Sequence, residues 1–343
     1  MSSKVLVTGG AGYIGSHTCK ALAAVGYAPV VLDDLSAGHD WAVKWGPLIV
    51  ADIADRARLS NVLQEHEITA CIHFAAHAGV GESVQDPRKY FDNNVTRTLA
   101  LLDTLLAGGI TQVVFSSSCA TYGVPQKLPI SEDHPQDPIN PYGASKLFVE
   151  KILRWYERAY GMRSMTLRYF NAAGADADSA IGEDHSPETH LVPLVIAAAQ
   201  GVNPAVEIFG TNYETADGTA VRDYVHVCDL ATAHVKALDH LFAKGQSASV
   251  NLGTGCGHSI RDVISAVEEL SGRIVPVLEG QRRAGDPPAL IANPQRGRSL
   301  LQWTPTQSDL QTIVRTAWQW HEKRFFKPTR AVVREENASL VSV

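Results

Sequence analysis

The chain has 343 residues, a formal net charge of −6, 45% hydrophobic residues and 19% charged residues. That length is ample for one large packed domain or two smaller ones, and the composition excludes a disordered or fibrous chain. The acidic balance gives no general attraction to nucleic acid or to an anionic membrane, so neither is expected as a partner; a local basic pocket for a phosphate ligand stays open.

The amino terminus, MSSKVLVTGG, enters a strand-like run at once, without the basic start, long apolar stretch or small-residue cleavage site of a signal peptide. Strands are predicted over 4–9, 28–34, 47–53, 70–76 and 112–118. Each is mostly apolar on both faces, as parallel strands covered by helices above and below require. Helical patterns fall between them near 13–25, 55–65 and 88–107, the last with a stripe of Leu99, Leu102, Leu105 and Leu106. This alternation predicts an α/β fold built on a doubly wound parallel sheet.

A helix over 141–160 and a strand over 164–174 follow. Segments 175–190 and 203–222 are rich in Asp, Gly, Pro and Thr and read as loops, suited to a lid over a ligand more than to a second core. The β/α pattern resumes at 250–255, with a helix from Ser259, and the tail 327–343 has no clear periodicity. Residues 1–175, joined by segments near 222–255, are expected to form a nucleotide-binding domain, and 176–326 mainly a smaller substrate-binding α/β region. The apolar run LVPLVIAAA at 191–199 is far short of the ~20 residues of a membrane span. Five cysteines without C-x-x-C spacing suit free thiols in a reducing cytoplasm. His73 and His77 are four apart, but on a strand running into a loop, so they do not share a face and no metal site is expected.

VTGGAGYIGSH places Gly9, Gly12 and Gly15 between the first strand and the first helix, with Tyr13 and Ile14 inside the turn. Glycines permit the tight turn, let backbone approach a pyrophosphate, and let the helix pack close to the sheet. The amides of a helix N-terminus then face the anion. The second strand ends VVLDD, putting Asp33, with Asp34 beside it, where a carboxylate can bind adenosine ribose hydroxyls. A carboxylate there repels a ribose 2′-phosphate, so NAD is favoured over NADP. Asp52, followed by Ile53, ends the third strand as an adenine contact or, equally, as a helix cap.

FSSSCATYG ends the fifth strand and is expected to bring Ser116, Ser117 and Ser118 to the same mouth. In NPYGASKLFVE, Tyr142 and Lys146 are four apart on one helix face. Oxidising an alcohol needs a base for the hydroxyl proton as the hydride leaves. Free tyrosine is a poor base at neutral pH, but a neighbouring ammonium and a positive nicotinamide both favour phenolate, so the Tyr142 pKa is expected to fall. Ser118 can share the proton.

With these motifs in order, the chain resembles the extended short-chain dehydrogenase/reductases and, within them, the UDP-glucose 4-epimerases. The likeness runs from about residue 4 to 322 and rests on VLVTGGAGYIGSHT, DNNV, FSSSCATYG, PYGASK, LRYFNAAGA, IFG, DGTAVRDYVHVCDLA, NLGTG and RRAGDPP. It implies a Rossmann domain holding NAD, a UDP-sugar substrate and a homodimer. By the resemblance Tyr142 is the base, Lys146 holds the nicotinamide ribose, and Ser118 assists at the sugar oxygen. Phe74, Ala75, Ala76, Asn93 and Phe170 would line the NAD. Arg222 and Arg283 would bind the UDP diphosphate and ribose, with Asn171, His190, Leu191, Ile208, Phe209 and Asp286 as further contacts. Arg222–Asp223 and Arg283–Asp286 ion pairs are the alternative reading.

The chain departs from the pattern at Ala78, at ETHL (188–191), at Ala120 and at Leu290, which stands where pocket size is set. An N-acetylhexosamine or pentose nucleotide therefore stays open beside glucose and galactose. A 4,6-dehydratase would need an acid and a base next to Ser118, where Cys119 and Ala120 stand. A non-catalytic NAD-binding protein would have no reason to keep the hydroxyl, phenol and ammonium together.

Overall fold

The computed structural model describes residues 2–283 and 286–325, so the tail 327–343 lies outside the described residues. Seven strands make the main sheet: β1 (Lys4–Thr8), β2 (Ala28–Asp33), β3 (Leu48–Val50), β4 (Ile68–His73), β5 (Gln112–Ser118), β6 (Arg163–Tyr169) and β7 (Ala248–Leu252). They lie in the order β7-β6-β5-β4-β1-β2-β3, and every pairing is parallel. The order reverses between β1 and β4, and that crevice is where such a sheet receives ligands.

The pleat sends alternate residues to opposite layers. Val5 and Val7 pack with Leu22, Leu230, Leu238 and Leu241, from helices Tyr13–Ala24 and Val227–Phe242. Leu6 packs on the other face with Leu59, Leu101, Leu105, Val149 and Leu153, from helices Arg56–Glu65, Arg97–Ala107 and Pro141–Tyr160. The helical stretch predicted over 88–107 is broken into Pro87–Phe91, a wide turn at Asp92–Thr96, and Arg97–Ala107.

The stretch 176–326, expected as a smaller α/β region with lid-like loops at 175–190 and 203–222, has a core of its own. Helices Leu191–Ala199, Ile260–Ser271 and Leu310–Arg324 bury Val195, Ile196, Val263, Val267, Ile313 and Val314 together, with Val206 and Ile208 from a strand Val206–Phe209. That strand lies inside the stretch predicted as loop; at four residues it is too short for periodicity to reveal it. It is paired by Val277–Gly280, far along the chain.

Candidate active site

The first turn meets the end of β4 with almost no space between them. Gly9 has φ +72°, and a Cβ there would lie 2.6 Å from the Ala75 nitrogen. The Phe74 and Ala75 amides both donate to the Thr8 carbonyl, at 2.9 and 3.2 Å. A Cβ on Gly15 would lie 2.2 Å from the Gly9 carbonyl oxygen, so the helix is drawn onto the turn. Gly12 caps that helix without a side-chain hydrogen bond, leaving its first amides for a ligand. Asp33 is tied to the same turn: its carboxylate accepts from the Ala11 amide at 3.0 Å and from the Leu35 amide at 2.9 Å. Burial raises its pKa. A bare helix end, a glycine cradle and a fixed carboxylate fit a dinucleotide.

Not every expected cofactor contact gathers there. The Asp34 carboxylate serves its own turn, accepting from the Ser36 amide and hydroxyl. Tyr13 donates its hydroxyl to the Gly174 carbonyl, and Ile14 packs on the core beside the turn. Asp52 pairs with Arg97 and accepts from the Ala54 amide, while Ile53 is buried. The cap of the next helix is Asp55, which accepts from the Arg58 amide at 3.0 Å, so Asp52 is not the cap. On the wide turn, the Asn93 amide donates to Asn94. Asn94 is the buried residue there, bonded to both backbone groups of His77 and to the Ser145 hydroxyl.

At the end of β5, Lys146 donates to the Ser116 carbonyl at 2.8 Å and lies 5.9 Å from the centre of the Tyr142 ring. Asn140 caps this helix by accepting from the Gly143 amide, and Pro141 opens it, which fixes where Tyr142 and Lys146 project. The Ser118 oxygen accepts from the Ala120 amide at 3.1 Å. Phe170 is buried beside Cys119, Tyr122 and Ile130, with Leu290 against the same cluster.

One expectation fails here. Ser117 does not join its neighbours: the pleat turns it to the opposite layer, where its hydroxyl donates to Glu150 at 2.6 Å. Glu150 is in turn paired with Arg168, both almost completely buried, and Arg168 also donates to the Tyr122 hydroxyl. In the nucleotide-free chain burial raises the Tyr142 pKa and the nearby Tyr169 adds to it, with the Ser118 hydroxyl opposing them; the expected fall depends also on a nicotinamide charge that acts only with the cofactor bound. Burial likewise pulls Lys146 down to about 7, so its charge is itself costly in this pocket.

The residues expected to meet the nucleotide sugar form two groups. Asn171, His190 and Leu191 line one cleft together with Glu183 and Tyr224. Arg222 and Arg283 converge on Asp286: Arg283 at 2.9 Å and Arg222 at 3.7 Å. The Arg283 guanidinium sits 4.7 Å over the Phe209 ring. Leu290 is in register with Arg222 on the adjacent short strand. Asp223 is not a partner of Arg222; its buried carboxylate accepts from the Thr254, Gly255 and Ala292 amides. Ile208 faces the second core and is fully buried, so its side chain reaches no ligand. Among the departures, Ala78 is exposed, and the Ala120 carbonyl packs so close to Gly143 that a Cβ there would be 2.3 Å away.

Sequence reasoning passed over Glu150, Arg168, Asn94 and Tyr169. Their partners are distant in sequence, so no local spacing marks them.

The profile of the NAD dependent epimerase/dehydratase family matches residues 5–253. The chain belongs to this family. A family relative from Rhizobium meliloti (strain 1021), a UDP-glucose 4-epimerase, is 52% identical over 323 residues, covering 94% of this chain and 98% of the relative. The crystal structure of UDP-glucose 4-epimerase from Brucella ovis in complex with NAD is 54% identical with a TM-score of 0.91, covering 93% of this chain and 98% of that one. A UDP-glucose-4-epimerase structure from Stenotrophomonas maltophila, with bound NAD and formylated UDP-arabinopyranose, is 40% identical with a TM-score of 0.91, covering 94% of this chain and 98% of that one.

Proposed function

We propose that the chain catalyses NAD-dependent, reversible 4-epimerisation of a UDP-hexose, interconverting UDP-glucose and UDP-galactose. The observation that carries this reading is the meeting of Tyr142, Lys146 and Ser118 at the mouth of β5 in a chain whose glycine turn and Asp33 fit NAD. When bound, NAD supplies the acceptor for the C4 hydride and gives the same hydride back, so no net oxidation occurs.

The phenolate oxygen of Tyr142 takes the proton of the sugar 4-hydroxyl as the C4–H bond breaks, leaving a 4-ketose; the proton returns to the sugar oxygen when C4 is reduced on its other face. Burial alone holds Tyr142 as the phenol, so its base form would depend on the positive charges that bound NAD and Lys146 supply. The Lys146 ammonium opposes the cost of burial when charged, and the Ser118 hydroxyl can donate to the reacting oxygen. Arg222, Arg283 and Phe209 would hold the UDP while the ketose turns between its two faces. Gly9, Gly12, Gly15, Asp33 and Phe74 to Ala76 would hold the cofactor.

Leu290 forms part of the wall beside Phe170 and Cys119, and an N-acetylhexosamine or pentose nucleotide is the second reading. The test is incubation of the protein with UDP-galactose, UDP-N-acetylgalactosamine and UDP-arabinose, followed by sugar analysis. Inversion of UDP-galactose without accumulating NADH supports the proposal; steady NADH release or no inversion of any sugar overturns it.

Residues 1–175, with the segments near 222–255, serve as the NAD-binding domain, and 176–326 mainly receive the UDP-sugar. The working form is a homodimer in the cytoplasm. The helix carrying Tyr142 leaves Phe148 and Trp155 exposed two turns apart on one side, apolar groups suited to a second copy, and the five cysteines are free. No helix among the described residues is long and apolar enough to cross a membrane.

A further inference from the structure

The histidine pair weighed in the sequence is no ligand pair: His73 is buried between the Thr8 and Thr98 hydroxyls, at 2.7 and 2.9 Å. A different cluster lies in the segment leading into helix Leu191–Ala199. Glu183, His185, Glu188 and His190 each present one ligand atom, and the four atoms lie within 4.8 Å of one another. We propose that these four residues form a Zn2+ site that pins the segment beside the candidate nucleotide cleft.

The spacing suits one central ion. The Nδ1 atom of His190 is 2.7 Å from Glu183 Oε1 and 3.4 Å from Glu188 Oε1. His185 Nδ1 is 3.2 Å from Glu183 Oε1 and 3.7 Å from Glu188 Oε2. Ligands held at about 2.0–2.2 Å in a tetrahedron stand roughly 3.3–3.6 Å apart, close to three of these separations, while the His190–Glu183 contact would have to open and one Glu188 oxygen would serve. Two imidazoles with two carboxylates are a donor set that Zn2+ accepts, whereas Ca2+ and Mg2+ prefer oxygen throughout.

A second observation points to an ion. The Glu183 side chain is only 4% exposed. Its Oε1 and the His185 Nδ1 are both shut off from solvent and make no hydrogen bond, despite facing each other. A buried carboxylate oxygen in ion-pair range of two imidazole nitrogens, but with hydrogen-bond geometry to neither, sits where a shared cation would replace those contacts. The scaffold around it is fixed. The Glu183 carbonyl accepts from the Trp320 indole at 2.7 Å, and the Glu188 carboxylate accepts from the Thr189 and His190 amides at 2.7 and 2.8 Å. Such surrounding bonds hold ligands in place. Asp184 points away and pairs with Arg324, so the ligands of the cluster come from alternate positions 183 and 185 and from 188 and 190. With zinc on Nδ1, His190 keeps its Nε2 as a fixed N–H at the cleft that it lines with Asn171 and Leu191.

The test is metal binding, which does not depend on turnover. Full-length protein carrying Cys256→Ser, to remove the exposed thiol, is stripped with EDTA and titrated with ZnCl2 by calorimetry, and with CoCl2 by visible absorption. One Zn2+ per chain, strong bands of tetrahedral Co2+, and a Zn2+-dependent rise in thermal midpoint are expected. His185→Ala and Glu188→Gln should each weaken binding at least tenfold, while His240→Ala leaves it unchanged. The parent protein alone already decides the matter if the variants fold poorly. Absence of stoichiometric Zn2+ uptake, or equal uptake by folded His185→Ala, overturns the site and leaves the four groups as ion pairs.

Discussion

At the cofactor end, backbone is packed against backbone: Gly9 lies under Ala75, Gly15 over Gly9, and Asp33 is bonded to the turn it serves. At the proposed substrate end, the corresponding groups are long charged side chains held by one carboxylate, with Arg283 60% exposed and only lightly constrained. The first region selects by shape, because any added atom collides. The second is suited to select by charge, because its guanidinium groups already face the Asp286 carboxylate. Steric fit is built into the fold, whereas charge recognition must be completed by the ligand.

The sharpest break in this comparison is chemical. Tyr142→Phe keeps the packing of the cofactor end but removes the hydroxyl proposed as its proton acceptor, and kcat should fall by about 10²–10⁴ while NAD content in the purified protein stays normal. Near-normal turnover would remove Tyr142 from the role of base.

Charge pairs should differ between the regions by depth. Arg168→Met leaves Glu150 buried and unpaired behind the Tyr142 helix, with side-chain exposures of 3% and 1% in the parent pair, and should cost about 3–5 kcal/mol in denaturant unfolding. The exposed Arg283–Asp286 pair should matter little to stability, at about 0–1 kcal/mol. Arg283→Ala should instead raise KM for the UDP-sugar roughly 10–100-fold with little change in unfolding midpoint. An equal loss of stability in both variants would erase the distinction.

The smallest effect is a slope. Burial holds Lys146 at about 7 in the folded chain, below its ordinary 10.5. The unfolded chain therefore binds more protons between those values, and the Lys146 contribution to stability rises with pH across that window. In nucleotide-free protein, the stability difference between parent and Lys146→Met should change in that sense between about pH 7 and 10. A flat difference would show that Lys146 keeps its charge through water or an unseen partner.

The sheet was legible because its strands are apolar on both faces and the helices between them keep one stripe. The predicted strand 112–118 coincides with β5, and the helix 141–160 with Pro141–Tyr160. What failed was local reading of residues whose role is set by a distant neighbour. Ser117 looks like Ser116 and Ser118 until the pleat turns it toward Glu150. Asp52 and Asp55 both precede a helix, and only the backbone path shows that Asp55 caps it. Ile208 sits in a motif shared with Phe209, yet the strand turns the two side chains opposite ways. The second core escaped notice because it joins helices from 191 to 324 that no short window can connect. The direction of the Tyr142 pKa depended on how dry the pocket is, which sequence does not state.

The placement of β7 has a consequence for synthesis. Its residues pair with β6 from far downstream, so nothing seals that side of the sheet until Leu252 has left the ribosome. Before then, Met165 and Leu167, fully buried in the finished protein, lack the β7 neighbours they pair with, and β6 offers free amides to any nascent neighbour. Residues 1–175 are therefore not expected to fold as a portable module. A gene fragment ending at residue 175 should aggregate, and a monodisperse fragment on size exclusion would show that another segment can seal the edge.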